Sequence, residues 1–369
     1  MQPSQRVREE VREFSPYVAG LSMDEIRERY GLSQIIKMAS NENPLGASPL
    51  VKRVLTRKAD TVFRYPRSGN PALSAAFAAV HGVPASGVVS GNGSDEIIDL
   101  LIRVLAQPGR DNVVAFRPCF SIYVQQTRLC GVELRQVPLG TDYHFDFEAL
   151  LAAVDANTSL VFVTNPDNPS GYAVPSDELV RLAGRLPEKA LLVVDEAYVD
   201  FAEPEADYSM LARFGECDNI VVLRTFSKLY GLAGLRLGFG VMPDWLADAM
   251  LRVKLPFSVN VLAEAAGLAA LEDTPFLAAS RDIVLRGRKR LGTALAAHGF
   301  TVYPSQANFL MVTPPVPAVA LYEALLAKGI IVRSLKSYGL PDKLRISIGN
   351  DEENEALLTA IEDILRHGC

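Results

Sequence analysis

Four short, unbroken apolar runs punctuate the middle of the chain: Val113-Val114-Ala115-Phe116, Leu160-Val161-Phe162-Val163, Ala190-Leu191-Leu192-Val193-Val194 and Ile220-Val221-Val222-Leu223. Each is bounded by Gly, Pro, Asn or Asp. A strand with one wet face alternates apolar and polar residues. A continuous Val/Leu run reads instead as a strand buried on both faces. Helical patterns separate the runs, so residues from about 94 to 242 are expected to form an α/β domain with a mainly parallel sheet. Ligands in such folds sit past the carboxyl ends of the strands. Asn165-Pro166, Asp195-Glu196 and the segment from Arg224 to Lys228 each come within two residues of the end of a run. One edge of the sheet therefore gathers the chemically useful residues.

Beyond Met242 the pattern changes. Residues 260–297 read as one long helix, with Arg281, Arg286, Arg288, Lys289 and Arg290 on a solvated face. Strands are expected near 309–312, 330–332 and 344–348, and helices near 319–327 and 352–365. This reads as a smaller α+β domain. The 369 residues, 49% of them hydrophobic, are enough for a large core and for two or three domains. A net charge of -6 without blocks of like charge argues against nucleic-acid or membrane-surface partners. The first thirty residues are charged and lack an apolar signal core, and the cysteines Cys119, Cys130, Cys217 and Cys369 form no CxxC pair. The expected location is the cytoplasm. Neither these cysteines nor His81, His144, His298 and His367 have metal-ligand spacing, so no metal site is expected.

The segment Arg224-Thr225-Phe226-Ser227-Lys228-Leu229-Tyr230-Gly231, followed by Arg236, sets one lysine among hydroxyls and an arginine. Lysine amines condense with carbonyl compounds. Hydroxyls and a guanidinium suit a phosphate monoester. Pyridoxal 5'-phosphate (PLP) carries both an aldehyde and a phosphate. Taken alone, the segment reads equally as a surface Ser-Lys before a helix-stopping glycine.

Other segments bear on the choice. Ser90-Gly91-Asn92-Gly93-Ser94-Asp95-Glu96 opens a helix, with Ser94 or Asp95 as N-cap. A capped helix after a strand accounts for the pattern, but capping does not require the glycines, which allow a phosphate to approach. Asn165-Pro166-Asp167-Asn168-Pro169-Ser170-Gly171 contains more than turn chemistry needs. Asp195 ends a buried strand, where a carboxylate is costly unless paired, and a pyridinium nitrogen would pair it. Tyr198 lies three residues on; a capping Asp and a packed Tyr explain the same residues. Arg345 sits between Leu344 and Ile346 in an expected strand and so points away from them, to solvent or to a pocket, and Arg333 adjoins another.

Together these segments resemble the aminotransferases of PLP fold type I, most closely the histidinol-phosphate aminotransferase family. The likeness runs from Phe14-Ser15-Pro16-Tyr17, through Ala39-Ser40-Asn41-Glu42-Asn43-Pro44-Leu45-Gly46 and Arg64-Tyr65-Pro66, to the Arg345 segment. It implies an α/β fold: an N-terminal arm and small-domain segment over 1–45, a large PLP-binding domain with a mainly parallel mixed sheet over 46–258, and a small α+β domain over 259–369. It implies that Lys228 holds PLP and shuttles a proton, that Asp195 pairs with the pyridinium nitrogen, and that Tyr198 and Asn168 contact the ring hydroxyl. Gly93, Ser94, Asp95, Thr225, Ser227 and Arg236 would hold or border the phosphate, with Phe120 stacked on the ring. Tyr65 would reach that phosphate from the partner of a homodimer. Tyr17, Arg333 and Arg345 would grip the substrate anion, and Asn41 would line the entrance.

The implied reaction is amino transfer between L-histidinol phosphate and 2-oxoglutarate, giving imidazole-acetol phosphate and L-glutamate in histidine biosynthesis. An aromatic amino acid aminotransferase and a threonine-phosphate decarboxylase share much of the motif set. The sequence departs from the family at Cys119-Phe120, where Thr-Tyr is usual, and at Arg67-Ser68, where an acid is common.

Overall fold

The computed structural model describes residues 6–12, 14 and 23–368. The four apolar runs are strands β3 (Asn112–Arg117), β5 (Thr158–Thr164), β6 (Leu191–Asp195) and β7 (Ile220–Thr225). They are joined in one seven-stranded sheet by β2 (Val88–Asn92), β4 (Glu133–Pro138) and β8 (Leu237–Val241), in the order β2-β8-β7-β6-β5-β3-β4. Pairing is parallel from β7 through β6, β5 and β3 to β4. β8 runs antiparallel to both β2 and β7. The central runs are buried on both faces, as their unbroken apolar character requires.

β8 reads Leu-Gly-Phe-Gly-Val, and its glycines have a packing cause. A Cβ on Gly238 would lie 2.4 Å from the Ser94 backbone nitrogen, and one on Gly240 would lie 2.9 Å from Ile97. The helix Ser94–Leu105 crosses the sheet too closely for side chains at those points. Its N-cap is Gly93, with φ 80°, and not Ser94 or Asp95 as expected; Ser94 is already its first residue.

A second sheet has four antiparallel strands in the order β12-β13-β10-β9: β9 (Thr301–Val302), β10 (Phe309–Thr313), β12 (Arg333–Ser334) and β13 (Leu344–Ser347). Its register sets Arg333 directly opposite Arg345, so both side chains leave the same face. β1 (Ile36–Lys37) pairs in parallel with β11 (Ile330–Ile331), tying the chain near its start to a segment near its end. The strand expected over 330–332 is β11, which ends at Ile331, and a separate short strand, β12, starts at Arg333 in the other sheet.

The long helix expected over 260–297 is also two, Val261–Glu272 and Thr274–Ala297. Asp273 breaks it: its side chain accepts from Phe276 N at 3.4 Å and caps the second helix, which has a proline in its first turn. The C-terminal helix Asp351–His367 opens on a capping box of Asn350 and Glu353. Among the described residues no helix is long and apolar enough to cross a membrane, and no cluster of side chains could hold a metal ion. Cys119, Cys130 and Cys217 are free.

Candidate active site

β7 delivers Lys228. The strand ends at Thr225, whose hydroxyl oxygen accepts from Ser227 N at 3.1 Å, and Phe226 locks into the core, stacked on Tyr230 at 4.2 Å. The next residues turn back through Gly231, where a Cβ would lie 2.0 Å from the Gly46 carbonyl oxygen. The lysine loop is therefore pressed onto the Asn41-to-Gly46 segment. Lys228 Nζ donates to the Ser40 carbonyl at 3.1 Å and lies 5.6 Å over the Tyr198 ring. Burial, helped by the positive charge of Arg345, lowers its pKa to about 8. A lysine so placed offers a neutral amine near physiological pH, the form that attacks a carbonyl.

A cavity of about 150 Å³ opens beside it, lined by Ser94, Asp95, Thr225, Ser227 and Arg236 at one end. The Ser94 helix points its N-terminus here, and no side chain caps it. Its first N–H groups and the positive end of its dipole therefore face the cavity. A Cβ on Gly93 would fall 2.5 Å from Arg236 Nη2, so only glycine leaves room for the guanidinium. Arg236, itself left-handed at φ 53°, donates to Asp95 at 3.0 Å. Uncapped N–H groups, three hydroxyls and a guanidinium make an anion cradle.

Asp195 lies at the other end, the last residue of β6 and directly paired in register with Thr164 of β5. Its Oδ1 accepts from Ala197 N at 3.1 Å and its Oδ2 from the Tyr123 hydroxyl at 2.7 Å. Burial raises its pKa to about 6. A carboxylate in that position is suited to a cationic ring nitrogen. Tyr198 accepts at its hydroxyl from Asn41 Nδ2 at 3.2 Å, and burial pushes its pKa up to about 12. Phe120 and Asn168 complete the wall.

A second cavity of about 220 Å³ adjoins the first and shares Phe120, Asn168, Tyr198 and Lys228 with it. Its other walls include Asn41, Arg333 and Arg345, together with Lys37 and Tyr338. The opposed register of β12 and β13 is what brings the two arginines to it. Arg345 resolves the choice its strand left open: it points inward. One guanidinium nitrogen donates to Asn168 Oδ1 and the other to the Ala39 carbonyl at 2.9 Å, while its buried Nε has no protein partner. Arg333 Nη2 lies 3.3 Å from Ser337 Oγ. Asn41 is held at φ 56° by Ser347, whose hydroxyl accepts from its backbone N and donates to its Oδ1, each at 2.8 Å.

Fourteen of the sixteen expected positions thus converge, with Gly93 acting through the room it leaves for Arg236. Tyr65 does not join them: it is 81% exposed and stacks on Phe257 at 4.6 Å. Tyr17 lies outside the described residues. A wider hollow of about 1050 Å³ lies elsewhere, along the C-terminal helix, where Arg290, Lys328 and Arg366 pair with Glu355, Asp363 and Glu362. It holds none of the expected residues.

Sequence reasoning missed Tyr123, Thr164, Lys37 and Tyr338. Tyr123 follows Phe120 by three residues, one helical turn, and that spacing was the available signal. It also missed a buried ion network behind the site. Arg224 donates to Glu196 at 3.0 Å and to Asp200, and Ser209 Oγ donates to Glu196 at 2.9 Å. Two arginines expected on a solvated helix face turn inward instead. Arg281 donates to the carbonyls of Asp200 and Ala202, and Arg288 to those of Phe201 and Ala307. These four carbonyls, three at residues 200–202 and one at 307, need donors, and the long guanidinium stems supply them.

The comparisons agree with this geometry. Residues 33–361 match the family model of class I and II aminotransferases. The chain is 58% identical to a histidinol-phosphate aminotransferase of Nitratidesulfovibrio vulgaris, over 98% of this chain and 97% of that one. It is equally similar, at 58%, to the enzyme of that name from Oleidesulfovibrio alaskensis, over 98% of this chain and 95% of that one. The crystal structure of histidinol-phosphate aminotransferase from Sinorhizobium meliloti in complex with pyridoxal-5'-phosphate superposes with a TM-score of 0.86 at 29% identity, covering 96% of this chain and 98% of that one. With a buried lysine, an anion cradle and a paired carboxylate around one cavity, the chain belongs to the class I and II aminotransferases, in the histidinol-phosphate aminotransferase family.

Proposed function

We propose that this chain catalyses reversible amino transfer between L-histidinol phosphate and 2-oxoglutarate, with PLP as cofactor. The observation that carries it is the continuity of two cavities across Lys228: one built for a phosphorylated pyridine, the other lined by Arg333 and Arg345. The donor set fits PLP. Ser94, Thr225, Ser227 and Arg236 would hold its phosphate, Asp95 orients Arg236, and Gly93 leaves the space. Asp195 would face the ring nitrogen, Tyr198 and Asn168 the ring hydroxyl, and Phe120 a ring face. Asn168 presents its amide N–H groups as donors, because Arg345 occupies its carbonyl oxygen. When bound, PLP supplies the electron sink.

The chain supplies the rest. Lys228 Nζ would be the amine that meets the cofactor's aldehyde, and the same nitrogen, once free, would carry the substrate's Cα proton across to the cofactor's aldehyde carbon. Arg333 and Arg345, with Tyr17, would grip the phosphate of histidinol phosphate and, in the second half-reaction, a carboxylate of the dicarboxylate. Arg345 Nε, buried and unsatisfied by the protein, favours an anion there. Asn41 would line the entrance.

On this reading the chain is a cytoplasmic homodimer whose Tyr65 serves the partner's phosphate site. It divides into an arm with a small-domain segment (1–45), a large domain (46–258) and a small domain (259–369). The deciding assay compares kcat/KM for histidinol phosphate, tyrosine, phenylalanine and phosphothreonine, with product analysis for decarboxylation. Histidinol phosphate is expected to lead. A higher value for an aromatic amino acid, or release of carbon dioxide from phosphothreonine, would overturn the assignment.

A further inference from the structure

Tyr123 has no part in the chemistry so far. It lies on the helix Ser121–Leu129, is 1% exposed, and its ring stacks on Phe162 at 4.5 Å. Packing alone would be served by phenylalanine. Yet its hydroxyl donates to Asp195 Oδ2 at 2.7 Å and lies 2.8 Å from Thr164 Oγ1. A phenol has one proton. Spent on Asp195, it leaves the phenol oxygen only as an acceptor, so the Thr164 hydroxyl must donate to it. The chain of bonds then has one direction: Thr164 to Tyr123, and Tyr123 to Asp195. Strand register sets Thr164 beside Asp195, and Tyr123 reaches the pair from a helix.

Among the described residues, the donors to Asp195 are Tyr123 and the Ala197 backbone N–H. The charges that act on it oppose one another: Asp95, on the Ser94 helix, disfavours its ionisation and Lys228 favours it. Burial disfavours ionisation most, while the bond from Tyr123 resists that pull. A carboxylate next to a pyridine nitrogen shares one proton with it. Carboxylate beside protonated nitrogen and carboxylic acid beside neutral nitrogen have the same proton count. A donor to the carboxylate favours the first arrangement, and burial favours the second.

We propose that Tyr123, backed by Thr164, is a positioning residue that keeps Asp195 ionised and so keeps the shared proton on the cofactor's ring nitrogen. The proposal rests on the reading of Asp195 as that nitrogen's partner. The proton's place matters because a protonated ring draws electrons from the reacting bond more strongly. A donor strengthened from behind donates better, so Thr164 acts in the same direction as Tyr123, with a smaller effect.

The test uses the holoenzyme loaded with PLP labelled with ¹⁵N at the ring nitrogen, read by NMR. Tyr123→Phe keeps the stacking on Phe162 and removes one oxygen. The wild type is expected to show a protonated nitrogen, and Tyr123→Phe a signal moved toward the unprotonated position. Its kcat should fall about tenfold or more, the worth of a hydrogen bond to a charged group. KM for histidinol phosphate should change by less than about threefold, because ground-state binding is untouched. Thr164→Val should move the signal the same way by less, and it carries the test if Tyr123→Phe does not fold. Signals unmoved in the folded variants would overturn the proposal. Asp195→Asn separates the two claims. If it deprotonates the nitrogen while Tyr123→Phe does not, only the role of Tyr123 fails. If the nitrogen stays protonated in Asp195→Asn, the reading of Asp195 fails, and the proposal with it.

Discussion

A lysine amine ordinarily keeps its proton well above neutral pH, but burial and two nearby guanidinium groups bring Lys228 to about 8. The sign of the consequence follows. Below that value the amine is protonated and cannot attack a carbonyl; above it the amine is free. Capture of PLP by cofactor-free protein, followed by absorbance from pH 6 to 10, should speed up by roughly tenfold per pH unit below 8 and level off above. A rate still climbing past pH 9.5 would mean an ordinary lysine. Lys228→Ala should capture none. Arg345 presents a different problem, because it both faces the substrate cavity and supports Asn168 and Ala39. Arg345→Ala will therefore loosen the site whatever the substrate. A double comparison isolates the anion: wild type, Arg333→Ala and Arg345→Ala, each with histidinol phosphate and with unphosphorylated histidinol. A hydrogen bond to a charged group is worth about 1.5–3 kcal/mol, so each change should cost kcat/KM roughly 10- to 100-fold more with the phosphate than without it. Equal losses on both substrates would remove the arginines from phosphate recognition and favour the aromatic reading.

The Ser94 helix and the glycines around it make the anion cradle, and two substitutions separate what those glycines do. Gly238→Ala drives a Cβ into the Ser94 backbone nitrogen, which cannot swing away, and should cost about 1–3 kcal/mol of stability by denaturant titration. Gly93→Ala meets the tip of the Arg236 side chain, which can move, but only out of the cradle. Alanine at φ 80° is also strained, so stability should fall as well, and PLP binding should weaken by about tenfold in equilibrium dialysis of the folded variant. Unchanged affinity in Gly93→Ala would show that Arg236 does not hold the phosphate. These elements also mark how far the sequence could be read. β3, β5, β6 and β7 are legible because strands buried on both faces are apolar throughout, and Lys228 and Asp195 are legible because they end or follow such strands. β8 is not, because glycines at 238 and 240 read as turn while close approach of a helix demands them. β4, an edge strand carrying Glu133 and Arg135, has no apolar run to show. Tyr123 looks like any core aromatic; its role exists only because a helix and two strands meet at Asp195. Arg281 and Arg288 look solvated because helical periodicity does not reveal the loop carbonyls packed against that face.

At the scale of the whole molecule the surface around Tyr65 asks for a partner. Val62, Phe63 and Tyr65 are exposed on one segment and Leu255 and Phe257 on another, and the stacked pair Tyr65–Phe257 joins the two. Contiguous exposed aromatic and aliphatic side chains mark an interaction surface. A second copy of the chain is the occupant that would also give Tyr65 a function, since within one chain it lies outside both cavities. Complementation tests this directly. A Tyr65→Ala protein lacks the group it lends, and a Lys228→Ala protein lacks the group it keeps. In a mixed dimer, one site combines Lys228 of the first subunit with Tyr65 of the second and is whole; the other site lacks both. Equal mixing makes half the dimers mixed, each with one whole site of two, so activity should recover to about a quarter of wild type from two nearly inactive parents. Subunit exchange must be verified separately, by native mass spectrometry of differently tagged chains. If mixed dimers form and activity stays at the parental level, each site is built within one chain and Tyr65 serves the surface alone.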